Sequence, residues 1–190
     1  GFALRRPLIA VDGRAALAWQ RVRAGRRGEG VVLAATDARM DELYVAMYHV
    51  RSGDATQVRE PAARGTATQV EAGPGAVPIV EALIAPRLAG RADWLAELDR
   101  VWPAAHGAPQ PALAAAQALL GGNAWQMPGM LDEWVAHHAL ASRPAVPGED
   151  EAYVRADALA ELAVRSWRSG DVLAAATAAP RYVRDKVALD

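Results

Sequence analysis

Val31-Val32-Leu33-Ala34-Ala35-Thr36-Asp37 contains no polar side chain before Thr36. A strand with one wet face alternates apolar and polar residues, so an unbroken run of this length predicts a strand buried on both faces. After Ala38-Arg39-Met40-Asp41, the residues Leu43, Tyr44, Val45, Met47, Tyr48 and Val50 predict a second strand over 42–50. Two β-rich runs separated by a short polar interval read as a hairpin.

Upstream, Pro7-Leu8-Ile9-Ala10-Val11 reads as a short strand, and Asp12 as the cap of a helix running to about Arg23 with Leu17 inward and Gly25 at its end. Arg21, Arg23, Arg26 and Arg27 form a basic corner, read as a solvated helix end helped by the helix dipole rather than as an RNA contact. Downstream, Ser52 to Pro78 is rich in Gly, Pro, Ala, Thr and charge, and reads as loop with room for an edge strand at 56–59. Pro78 suits the first position of a helix over 79–85, and Pro86 would stop it. Trp94, Leu95, Leu98, Val101 and Trp102 recur at helical spacing before the proline-rich connector 103–111.

Gln117-Ala118-Leu119-Leu120 leads into the turn Gly121-Gly122-Asn123-Ala124-Trp125, where glycines after a strand permit close approach of a ligand or backbone. Met130, Leu131, Trp134, Val135 and His138 predict another helix, followed by a polar loop over 142–151. Leu159, Leu162, Ala163 and Trp167 line one more, which Gly170 stops. The alternation of strands and helices predicts an α/β fold.

Composition narrows function. The chain has 190 residues, 52% hydrophobic, with net charge -1 and no cysteine. A disordered state, a strongly basic nucleic-acid binder, disulfide scaffolds, cysteine-ligated metals and thiol catalysis are thereby disfavoured. No apolar run approaches the ~20 residues of a membrane span. Of the four histidines, His137 and His138 are adjacent, so they point about 100° apart on a helix and cannot form an i, i+4 metal pair. His49 and His106 are isolated, and no metal ligand set is expected. Asp37, Asp41 and Glu42 crowd the hairpin tip around Arg39, where paired carboxylates can do general acid–base work or bind a cation, but turn chemistry with a local ion pair is the favoured reading. Gly73-Pro74-Gly75 lacks the Lys-Ser/Thr of a phosphate loop. The six tryptophans read as core.

Three blocks together resemble the TsaB (YeaZ) family of bacterial tRNA threonylcarbamoyladenosine synthesis. They are the hairpin 32–44, similar to that family's DAR-x-x-E-x-Y; Gly122-Asn123-Ala124; and the closing Pro180-Arg181-Tyr182-Val183-Arg184-Asp185-Lys186-Val187-Ala188, similar to its P-x-Y-L-R-D-K-V-A tail. The family's opening DTS-like strand and GPGSFTG-like loop have no counterpart here. The resemblance therefore implies a ribonuclease-H-like lobe of the actin-like ATPase superfamily, with a mixed sheet and flanking helices. Residues 1–30 would be a remnant of the first lobe, 31–179 the second lobe and 180–190 a C-terminal tail, as expected of a truncated product.

The resemblance further implies a non-catalytic partner subunit of the tRNA modification complex. It would support a TsaD-like catalytic subunit together with a TsaE-like ATPase, and would meet tRNA only through that complex. The intact protein would be capable of homodimerising, in the cytoplasm and without a membrane. No catalytic residue, metal or resident cofactor is expected. By analogy with actin-like ATPases, the hairpin with Asp37 and Arg39 takes the place of a phosphate loop, and Gly122-Asn123 that of the adenosine loop. These are the candidate cofactor-binding positions. The competing expectation is a glycoprotease-like or ATP-binding enzyme of the same superfamily.

Overall fold

A computed structural model describes residues 6–25, 28–53, 77–102, 118–136 and 143–179. Strand β1, Glu29–Arg39, occupies the interior of a four-stranded sheet. β2, Glu42–Gly53, pairs with it antiparallel, Leu33 opposite Met47. β3, Val77–Gly90, adds antiparallel to β2, and β4, Ala118–Gly121, lies parallel to β1, giving the order β3-β2-β1-β4. The sheet is mixed.

The apolar run of β1 has the predicted cause. Val31, Leu33 and Ala35 enter one core, while Val32 and Ala34 enter another on the opposite face. The first core is roofed by α2, Arg91–Val101, by a 3-10 turn, Asn123–Gln126, and by α3, Met130–Ala136. Trp94, Trp125 and Trp134 are fully buried there, and Trp134 packs against Trp125 and edge-on to Trp102. Truncating a buried tryptophan to alanine costs ~3–5 kcal/mol. The second core lies beneath α1, Gly13–Ala24, and α5, Ala156–Ser169, with Trp19, Val22, Val32, Tyr48, Val50 and Leu162 among its members. A single turn, α4 (Glu149–Ala152), precedes α5. Asp12 caps α1 through the Arg14 amide, and left-handed Gly170 ends α5, both as the sequence predicts. Trp19, like the three tryptophans above and Trp102, is core, but Trp167 is 46% exposed.

Two expectations are corrected. Residues 79–85 are strand, not helix: among the described residues β3 lies at the edge of the sheet, and edges tolerate proline. Pro86 falls inside a bulge, where Ile84 and Arg87 oppose Met47 and Val45, so its missing N–H disrupts little of the ladder. Pro7–Val11 forms no strand; Leu8 makes one isolated bridge to Leu173. Residues 56–59, Gly73-Pro74-Gly75, the connector 103–111, His106, His137, His138, Arg26, Arg27 and the tail 180–190 lie outside the described residues. No helix among the described residues is long and apolar enough to cross a membrane.

Candidate functional site

β1 and β4 are parallel neighbours, with Ala34 opposite Gly121, so their C-terminal ends open on the same edge of the sheet. This pairing brings the hairpin to the glycine turn. Gly122 has φ 104°, and a Cβ there would stand 2.1 Å from the Ala35 carbonyl oxygen. Only glycine fits. Its amide donates to the Glu151 carbonyl at 3.2 Å. The next residue closes the contact: the Asp37 amide donates to Asn123 Oδ1 at 2.9 Å. The Arg39 amide donates to Asp37 Oδ1 at 2.7 Å, and the buried Trp125 indole donates to the Leu33 carbonyl at 2.9 Å. Of the four candidate positions, Asn123 meets Asp37 directly, and Gly122 lies against Ala35 and Thr36 of the same strand. Arg39 joins them through its backbone, with its side chain exposed.

A cleft of about 420 Å³ opens beside this contact. Asp37, Thr36, Tyr44 and Asn123 form one side, the start of α1 (Asp12, Arg14, Leu17) another, and Ala152, Tyr153 and Val154 the third. The Arg14 guanidinium lies 5.9 Å over the Tyr44 ring and 3.1 Å from the Asp12 carboxylate. The third wall is held by α1. Gln20, buried, donates to the Asp150 and Tyr153 carbonyls and accepts from the Arg155 amide. Arg21, also buried, donates to the Leu120 carbonyl at 2.6 Å and pairs with Glu151.

The basic corner is therefore partly spent on internal pairs. Arg23 binds Asp157 at 2.6 Å and also Glu161, which accepts the Trp19 indole as well. Burial lowers the Arg23 pKa, but the hydrogen bond it donates to Asp157 and the two nearby carboxylates outweigh it and raise the pKa above its ordinary value. That same hydrogen bond from Arg23 holds the Asp157 carboxyl below the usual range. His49 pairs with Glu29 at 2.5 Å on the sheet.

The cleft is chemically plain. Among the described residues its lining has no histidine, lysine or cysteine. Asp12 is committed to the Arg14 amide and guanidinium, and Asp37 to the Arg39 amide. Among the described residues no group of three His, Cys, Asp or Glu side chains is placed to hold a metal ion. The polar groups that line the cleft are the carboxylates of Asp12 and Asp37, the Arg14 guanidinium, the Asn123 amide and the hydroxyls of Thr36, Tyr44 and Tyr153. Sequence reasoning pointed to the turn and to the hairpin, whose motif ends at Tyr44, but not to Arg14, Gln20 or Tyr153, whose roles depend on how α1 crosses the sheet. The one local signal was Asp12, the helix cap that fixes where α1 starts.

No family model and no curated protein matches the chain. Two solved structures from Pseudomonas aeruginosa are similar to it. One, described as an uncharacterized protein with similarity to peptidase YeaZ, has a TM-score of 0.56 and 24% identity over 96% of this chain and 62% of its own. The other, YeaZ, has a TM-score of 0.55 and 24% identity over 95% of this chain and 61% of its own. The chain thus spans about three fifths of the length of these neighbours. The sheet, its flanking helices and this likeness together show that the chain has the ribonuclease-H-like, actin-like fold of the YeaZ proteins.

Proposed function

We propose that the chain is the second lobe of a TsaB-type protein. It works as a non-catalytic platform for a TsaD-like subunit that, with a TsaE-like ATPase, transfers threonylcarbamoyl to tRNA in the cytoplasm. The YeaZ fold over nearly the whole chain supports the family reading, together with the hairpin and tail motifs. The observation that carries the non-catalytic part is the internal use of the polar groups at the sheet edge. In an actin-like ATPase the hairpin amides would face phosphates. Here the Asp37 amide is taken by Asn123 and the Arg39 amide by Asp37. A site for developing charge needs donors aimed outward and free.

The test is reconstitution of tRNA modification from TsaD-like and TsaE-like proteins, with the chain joined to a YeaZ-type first lobe. Modification that requires this protein, without peptide or ATP hydrolysis by the chain itself, is the expected result. Modification that proceeds equally well in its absence, or hydrolysis by the isolated chain, would overturn the proposal.

A further inference from the structure

We propose that the tip of the β1–β2 hairpin is a protein-docking knob, with Met40 entering an apolar socket that a partner rims with basic groups. The first observation is conformational. Arg39, Met40 and Asp41 have φ of 64°, 57° and 60°, three successive non-glycine residues in the left-handed region. A two-residue hairpin turn accepts that geometry most cheaply with Asn-Gly, and methionine and arginine carry a steric penalty there. Core packing does not demand these side chains, because Arg39, Met40 and Asp41 are all exposed. Met40, 78% exposed, is the most open large hydrophobic among the described residues.

The second observation is rigidity. Asp37 is fastened to Asn123 on one side and to the Arg39 amide on the other, so the strained tip projects from a fixed base. Strain held in place at a surface, against a cheaper alternative, marks a position kept for its side chain. Charge then selects the partner. Asp37 and Asp41 outnumber Arg39 at the tip, a net negative charge that disfavours phosphate backbones and complements a basic protein surface. Methionine is enriched in interface cores. One such side chain is an anchor within a larger contact rather than a whole interface.

A photo-crosslinking amino acid at position 40, compared with one at exposed Val146, tests this in the source cells, followed by affinity measurements with the purified partner. Trapping of one protein through a peptide containing Lys or Arg, at position 40 and not at 146, is expected. Met40→Gly should then weaken binding at least about tenfold while the melting temperature stays level or rises, and Met40→Leu should keep affinity within about threefold. Unchanged affinity in Met40→Gly, or equal trapping at 40 and 146, would overturn the inference. It stands apart from the platform reading, because a trapped partner unlike TsaD leaves this inference standing whatever the tRNA assay shows of the platform. Absence of trapping at position 40 would overturn this inference, with the tRNA assay deciding the platform separately.

Discussion

The contact of Gly122 and Asn123 with the end of β1 divides steric from polar contributions at single positions. Gly122→Ala must place a Cβ against the Ala35 carbonyl and also hold φ 104°. A loss of roughly 3 kcal/mol is expected from strain and overpacking together. Asn123→Ala removes one hydrogen bond from an amide that water can reach, so about 1 kcal/mol is expected. Chemical denaturation of the two variants should preserve that order, and a reversed order would mean that the turn is held by something other than this close approach. Asp157 supplies a pH test. Its pKa lies below the ordinary carboxyl value of 3.8 because Arg23 donates to it. A depressed folded-state pKa adds stability that is present above the ordinary value and is lost as pH falls through the folded one. An NMR titration should place the Asp157 midpoint below 3.8 in the wild type, and Arg23→Ala should return it upward. An unmoved midpoint in that variant would remove Arg23 as the cause.

At the scale of elements, what the sequence made legible tracks how local each cause is. The double burial of β1 is written in Val31 to Ala35 because the demand falls on every residue of the strand. The caps Asp12 and Gly170 are local as well. β3 escaped because Pro78 and Pro86 carry the same local signs as a helix start and stop. Only its place at the sheet edge and the bulge opposite Val45 and Met47 make them harmless. The turn at Gly122 was legible, but its closure by Asp37 spans 86 residues and has no local mark. The third wall of the cleft was illegible for the same reason, since Gln20 reaches it from 130 residues away. That wall is therefore a good place to test a single side chain. Gln20→Ala should cost about 2–3 kcal/mol, the sum of three hydrogen bonds formed by a buried amide. Hydrogen exchange should quicken across residues 147–155 while β1 and β2 stay protected. Exchange that rises equally in the central strands would show that Gln20 supports the whole core rather than the wall.

The whole molecule is a sheet closed on two sides, and each side comes from different parts of the chain. The roof of α2 and α3 lies between β3 and residue 136, whereas the opposite face needs α1 from before the sheet and α5 from after it. A fragment beginning at residue 31 has α5 but not α1. Burial of Leu17, Trp19 and Val22 contributes roughly 5–8 kcal/mol, the same order as the ~5–15 kcal/mol net stability of a domain. Without α1, Val32, Ala34, Ala46 and Val50 would face water across the second core, and Glu151 and the Leu120 carbonyl would lose Arg21. The fragment 31–190 is therefore expected to lack a cooperative thermal transition and to bind a hydrophobic dye, while the 190-residue chain melts cooperatively. If the fragment melted cooperatively near the temperature of the full chain, α1 would be an accessory to the sheet and the burial sum above would misjudge what holds it.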